Sequence, residues 1–304
     1  STASSISAGG HHACFEGTDD AGEYGLVQCW GRNDEGQLGQ GSGQTGDIDT
    51  PSTILGSGYS AVTAGRFHTC VVAVDGGELN CFGRNADGQL GIGSTSGYER
   101  DLQEVYSEGV LAVSAGDSHT CAVIENGSIE CWGSNNYGQL GQGDVGDESS
   151  PSWVDLDEEA AAVATGHEHT CAMTRSGSVL CWGRNLEGQL GLGNTTSPQP
   201  DPIEVDLGSG RTAVSLTAGE YHSCAVLDDG SLSCWGDNSD NQLGRGGSPD
   251  SPDDVDTGFY TGYSSDWTVL MASAGQTHTC SVLDTGRMQC WGANYYGQLG
   301  QGHN

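Results

Sequence analysis

Lysine is absent from this 304-residue chain, and nine arginines face 41 acidic residues for a formal charge of −32. Such a surface repels phosphate backbones and anionic headgroups, which argues against nucleic-acid and membrane-surface binding. A basic partner, or a salty medium that screens self-repulsion, is its natural complement. Long apolar runs are missing as well, with hydrophobic residues at 35%, so membrane insertion is not expected. No signal-like segment stands at Ser1, and the chain reads as a mature or trimmed secreted product. Catalytic signatures are also lacking: there is no Gly-x-Ser-x-Gly, no Gly-Lys-Ser/Thr phosphate loop, no His-Glu-x-x-His and no Cys-x-x-Cys-His. The chain is therefore read as a non-enzyme, although the absence of motifs does not by itself exclude catalysis.

What the chain has in excess is glycine, 51 residues, and twelve cysteines. Abundant glycine with few apolar residues favours short strands and turns over helices. An even set of cysteines at fixed places suggests a disulfide framework and an oxidising compartment.

The cysteines fall into six pairs, 14/29, 70/81, 121/131, 171/181, 224/234 and 280/290, and the first member recurs every 50 to 56 residues. Around them the chain repeats over approximately 6–57, 58–109, 110–160, 161–212, 213–268 and 269–304, read as one domain over 1–304. Each unit reads as a strand ending in Ala-Gly or a close variant, two changing residues, a histidine, a Cys-bearing hairpin ending in Cys-Trp-Gly, and Gln-Leu-Gly. A polar, usually Pro-bearing segment leads onward. In units three to six a glycine (Gly127, Gly177, Gly230, Gly286) stands six residues after the first cysteine, as a three-residue loop ending in a left-handed glycine requires. With that loop Ile124 faces Ser128, and counting back places Cys121 opposite Cys131. The same count pairs Cys171 with Cys181, Cys224 with Cys234 and Cys280 with Cys290. Opposed residues at a non-hydrogen-bonded site lie about 4.5 Å apart, within disulfide reach. The spacing and compartment together predict six disulfides, one inside each unit, with Cys14–Cys29 and Cys70–Cys81 keeping their pairs despite longer loops. Metal is the rival reading, since a histidine precedes each first cysteine by two residues, but alternation along a strand does not gather four ligands. No cofactor is expected.

Repeats of about 50 residues with several strands each point to an all-β, six-bladed β-propeller, one blade per repeat. The pattern AGxxHTCAV…CWGxNxxGQLGxG resembles the repeat of the regulator of chromosome condensation family, and the match covers essentially residues 6 to 302. That resemblance implies a β-propeller, usually of seven blades, here in a secreted, disulfide-bearing, bacterial-type version. Six units imply a six-bladed ring or one completed by sequence outside this chain. Phe82 replaces the tryptophan of the motif and Asn241 a glycine. The last unit lacks the Pro-bearing segment; closure by N-terminal residues or a shorter blade is expected ahead of an edge left open to a partner strand.

The six histidines (His12, His68, His119, His169, His222, His278) recur identically, which suits a structural hydrogen-bonding role better than catalysis, where different groups converge. The tryptophans and the leucines of Gln-Leu-Gly read as packing between blades, and Asn33, Asn85, Asn135, Asn185, Asn238 and Asn294 as turn formers. Variation concentrates in the two residues before each histidine, where a constant loop presents changing side chains. Arg66, Phe67, Asp117, His167, Glu168, Glu220, Tyr221 and Gln276 form the candidate binding surface. No tryptophan stands at these places, which argues against the chemistry of the family's plant photoreceptor branch. Guanine-nucleotide exchange is rejected on charge and cysteine content.

Acidic clusters at Asp47 and Asp49, Asp144, Asp147 and Glu148, Asp155 to Glu159, and Asp250 to Asp256 lack the spaced Asp-x-Asp-x-Asp-Gly run, so they read as solvated charge, with weak extracellular calcium binding as the alternative. Asn126 and Asn194 open glycosylation triplets that matter only in a eukaryotic secretory host. The expected function is that of a secreted or cell-surface scaffold or protein-interaction module, binding a basic protein or itself. An extracellular inhibitor resembling propeller-type β-lactamase inhibitors is the first alternative, and a glycan-binding or glycan-active propeller the second.

Overall fold

The computed structural model describes residues 2–18, 22, 24–244, 253–254 and 268–302. All regular structure among them is β-strand, arranged in six antiparallel sheets that are the blades of a six-bladed β-propeller. In each blade, sequence-adjacent strands pair side by side. Blade 1 comprises Thr2–Ala8, His12–Thr18, Tyr24–Gly31 and Ile48–Leu55; blade 2, Tyr59–Ala64, His68–Ala73, Leu79–Asn85 and Gly97–Tyr106; blade 3, Val110–Ala115, His119–Ile124, Ile129–Gly133 and Glu148–Val154. Blade 4 comprises Ala160–Thr165, His169–Thr174, Val179–Gly183 and Gln199–Glu204; blade 5, Ala213–Ala218, His222–Leu227, Leu232–Gly236 and Asp253–Asp254; blade 6, Val269–Ala274, His278–Leu283 and Met288–Gly292. The chain falls into two compact units, Ser1–Asn136 with Val145–Leu156, and Tyr137–Asp144 with Asp157–Asn304.

The hairpin between the second and third strands follows the expected register. In blade 3 the Ile124 amide donates to Ser128 O (2.9 Å), and Gly127, at φ +82°, closes the loop on Ile124 O. Cys121 then stands opposite Cys131. All six expected disulfides are present, each inside one blade, with Cα atoms 4.1 Å apart.

Neighbouring blades inside each unit are joined by one repeated device. The Gln-Leu-Gly segment of a blade reaches into the next: Leu90 packs with Val110, Ala122 and Trp132, while the Gln89 carbonyl accepts both Trp132 Nε1–H (3.0 Å) and Thr120 Oγ1–H (2.8 Å). Gln139 serves Trp182 and Thr170 in the same way, Gln189 serves Trp235 and Ser223, and Gln242 serves Trp291 and Thr279. Phe82 has no indole N–H to offer, and among the described residues Gln37 O receives Thr69 Oγ1–H alone (2.8 Å). The segment itself is pinned by the asparagines that the repeat places after Trp-Gly: Asn85 Oδ1 accepts the Leu90 amide at 3.0 Å, and Asn33, Asn185, Asn238 and Asn294 do the same for their leucines. Asn241 holds φ at +64°, a left-handed conformation that asparagine tolerates better than most residues.

The recurrent histidines are structural. His68 Nε2 lies 2.8 Å from Thr120 Oγ1 of the next blade, with equivalent contacts from His12 to Thr69, His169 to Ser223 and His222 to Thr279. The glycine three residues before each histidine makes room for the ring: at Gly65 a Cβ would lie 2.4 Å from His68 Cε1 and 2.5 Å from Gly116 O.

Among the described residues blade 6 has three strands, and Thr2–Ala8 lies in the sheet of blade 1. The acidic run Asp250 to Asp256 lies outside the described residues except for the paired backbone of Asp253–Asp254.

Candidate functional site

Each pair of variable residues sits in a tight turn between the first and second strands. The glycine amide donates across the turn to the histidine carbonyl in all six blades, at 2.8–2.9 Å, so the two residues between them are held at the turn's crest. The carbonyl of the second variable residue accepts the amide of the residue that follows Trp-Gly or Phe-Gly: Arg32 to His11, Arg84 to Phe67, Ser134 to Ser118, Arg184 to Glu168, Asp237 to Tyr221 and Ala293 to Thr277, at 2.7–2.9 Å. Each crest therefore joins three residues, two from the turn and one from the end of the third strand, and all but Gly10 of blade 1 carry a side chain. Successive turns are also tied by backbone bonds, Arg66 N to Gly116 O and His167 N to Glu220 O among them.

In the first unit the crests gather around Phe67. Its ring has the Arg66 guanidinium carbon 5.3 Å from the centroid, that of Arg32 at 5.5 Å and the His11 ring at 5.4 Å. Arg66 Nη1 also donates to Asp117 Oδ2 (3.1 Å), and Arg32 forks onto both oxygens of Asp34. A partly exposed ring between two cations, each also held by a carboxylate, forms a firm amphipathic surface.

In the second unit the centre is Arg184, whose side chain is only 16% exposed. It donates to Glu168 (2.9 Å) and forks onto Glu187 (2.8 and 3.2 Å), while its guanidinium carbon lies 4.7 Å from the Tyr221 ring and 5.4 Å from that of Tyr137. The His167 and Tyr221 rings approach to 5.3 Å, and His167 Nδ1 is 3.4 Å from Glu168. Burial pushes the Glu168 carboxyl up, but hydrogen bonds from His167 and Arg184 outweigh it and hold the group below its ordinary value. Burial, and then the charge of Glu220, raise the Tyr221 hydroxyl, which stays protonated at neutral pH. Glu220 and Gln276 join this array through their backbones, the Glu220 amide donating to Gln276 O (3.2 Å).

The structure thus brings Arg66, Phe67 and Asp117 together, and His167, Glu168 and Tyr221 together, each set within its own unit. Sequence reasoning missed Arg32 and Arg184, because the residue after Trp-Gly was absorbed into the repeat. The available signal was charge: four of the chain's nine arginines (Arg32, Arg66, Arg84, Arg184) stand at these crest positions.

The remaining candidates carry structural duties or no site. Asp47 and Asp147 accept the amides of Asn33 (3.0 Å) and Asn135 (2.7 Å), and Glu159 pairs with Arg175. Among the described residues no three His, Cys, Asp or Glu side chains are grouped to hold a metal ion. No helix there is long and apolar enough to cross a membrane.

Comparison with known proteins places this architecture. Human WBSCR16 superposes with a TM-score of 0.87 at 22% identity, covering 99% of this chain and 80% of that one. The structure of Prp20p from Saccharomyces cerevisiae, reported with its binding properties to Gsp1p and histones, superposes with a TM-score of 0.82 at 22% identity over 99% and 74%. In sequence, human E3 ubiquitin-protein ligase HERC2 is 29% identical over 94% of this chain but only 6% of its own length, and the Arabidopsis thaliana ultraviolet-B receptor UVR8 is 32% identical over 33% of this chain and 22% of its own. The chain thus spans a small part of these relatives. The RCC1-like domain description matches residues 27–304, and the chain belongs to that family.

Proposed function

We propose that this chain is a non-catalytic protein-interaction module of a secreted or cell-surface protein, engaging a basic partner through its crest side chains. The observation that carries the reading is the concentration of arginines on aromatic rings at positions where the repeat varies. Arg and Tyr are favoured interface anchors because each combines a large contact area with fixed polar geometry. Here Arg66 and Arg184 are pre-positioned by carboxylates, which lowers the ordering cost of binding. The surrounding charge of −32 favours a cationic protein and speeds its encounter. Six disulfides, five of them fully buried, suit an oxidising, extracellular setting. Prp20p, which shares the fold, has reported binding to Gsp1p and histones, in keeping with a protein-binding propeller.

The test is capture from the native extracellular medium by the wild-type chain and by the triple variant Arg66→Ala, Phe67→Ala, Tyr221→Ala. A partner retained by wild type, lost by the variant and released as salt is raised supports the reading. Equal retention by both proteins moves the interface elsewhere and overturns it.

A further inference from the structure

The connection between blades 4 and 5 departs from the repeat. From the fourth strand of one blade to the first strand of the next, the described chain uses residues 56–58, 107–109 and 155–159, but residues 205–212 here. A connection longer than the turn requires gives a repeat scaffold room for a site of its own. This one is firmly built. Val205 and Leu207 are buried among core residues of blades 4 and 5, and the Val205 amide donates to Val179 O (2.8 Å). At the far end the Ala213 amide donates to Gly177 O (2.8 Å), in the hairpin turn of blade 4. Thr212 meets the corresponding turn of blade 5: its amide donates to Asp228 Oδ1 (3.1 Å), and the Asp228 amide donates to Thr212 O (2.9 Å).

Between these anchors lies an open-mouthed cavity of about 310 Å³, at the small end of the range of ligand sites. Val205 and Leu207 supply its apolar lining, while Ser178, Glu204, Asp206 and Arg211 supply its polar lining. Both carboxylates are exposed, and Asp206 is oriented by the Gly208 amide, which donates to Oδ1 (2.9 Å). Arg211 is held from the blade 5 side, where Nη2 donates to Ser231 Oγ (2.5 Å) and Nε lies 3.4 Å from Asp229 Oδ2. Its Nη1 borders the cavity beside Gly208, where a Cβ would lie 3.8 Å from that nitrogen. Gly208 holds φ at +94°, so the loop reserves this place for a residue without a side chain.

We propose that this cavity binds a small zwitterion of amino-acid size, its carboxylate on Arg211, its ammonium on Glu204 and Asp206, and its apolar side chain against Val205 and Leu207. A guanidinium and two carboxylates around one small space would each repel a ligand carrying only the like charge; a molecule bearing both charges satisfies both. The cavity lies at the end of the strand His169–Thr174 opposite the crest, so it stands or falls independently of the crest residues.

The probe is L-leucine, titrated calorimetrically into the intact 304-residue chain, with 3-methylbutylamine and 4-methylpentanoate as analogues that each keep one charge. Leucine is expected to bind saturably with one site per chain, and each analogue about tenfold more weakly, the worth of one charge-assisted hydrogen bond. Arg211→Gln should weaken leucine by about the same factor and leave 3-methylbutylamine unchanged. Glu204→Gln and Asp206→Asn should weaken leucine and leave 4-methylpentanoate unchanged. Glu204 is exposed and the asparagine can still accept the Gly208 amide, so these two variants decide the matter even if Arg211→Gln disturbs the loop. Absence of saturable leucine binding would overturn the proposal. So would equal binding of all three probes, or leucine binding indifferent to Glu204→Gln and Asp206→Asn.

Discussion

His68 Nε2 lies 2.8 Å from Thr120 Oγ1, and the same hydroxyl donates its hydrogen to Gln89 O. The hydroxyl has one hydrogen and spends it on the carbonyl, so the imidazole must donate from Nε2 and its Nδ1 carries no proton. A protonated ring would place an N–H at Nδ1, which is buried without a partner in His12, His68 and His222. Burial accordingly holds these histidines neutral, pushed down to about 4 in His12 and His222 and about 3 in His68.

Stability should therefore depend on acid in a defined window. The unfolded chain takes up protons on these histidines near pH 6.5 while the folded chain does so only near pH 4 or below, so the unfolded state binds more protons between those limits. Stability is complete above about pH 6.5 and falls as pH drops through the window, each histidine contributing about 1.4 kcal/mol per pH unit. In urea unfolding between pH 6 and 4.5, a His68→Gln variant should show a slope shallower by about one proton. An unchanged slope would mean that His68 is charged in the fold.

The shared carbonyl of Gln89 gives a second, graded expectation. Trp132→Phe removes the indole donor but leaves the carbonyl bonded to Thr120, a state that Phe82 and Gln37 already display in blade 2. The hydrogen-bond loss should cost about 1 kcal/mol. Thr120→Val should cost more, about 1–3 kcal/mol, because the buried Nε2–H of His68 is then orphaned. Denaturant midpoints of the two variants give the order directly.

Much of this architecture was legible before the fold was known, because each repeat carries its own register marks. Gly127 placed the turn, the turn placed Cys121 opposite Cys131, and Asn85 sat where a side chain could bond the Leu90 amide. Contacts across long sequence separations were not legible. Nothing local to Arg184 shows that its backbone meets Glu168 or that its side chain lies over Tyr221, and the repetition that made the blades easy to find hid the one position after Trp-Gly that varies with them. Met288 reads as an ordinary hydrophobic residue of the repeat, yet it is exposed, with no fourth strand beside it among the described residues.

The disulfides staple strands that already pair, so each should add stability without setting the register. Replacing Cys121 and Cys131 together with alanine should cost about 2–5 kcal/mol, chiefly through freedom returned to the unfolded chain. Circular dichroism of the double variant should keep its native form with a lowered melting temperature. Peptide mapping without reductant should recover the other five pairs unchanged; scrambled pairs would show that the bond, and not the hairpin, directs the pairing.

The Arg184 cluster yields an expectation about charge that a purely packing role would not produce. The Glu168 carboxyl is driven upward by burial and downward by His167 and Arg184, and the downward influences prevail. Arg184→Met keeps most of the apolar contact with Tyr221 and removes the donor at 2.9 Å. Glu168 should then titrate at a higher pH than in the wild type, with burial opposed only by His167, and carbon-detected NMR of its carboxyl follows the change. The sign for stability follows from the depressed value in the wild type: Glu168 contributes above its unfolded pKa and loses that contribution as pH falls through its folded one. Arg184→Met should therefore lower stability at neutral pH and flatten its acid dependence. A Glu168 titration left in place would assign the depression to His167 alone.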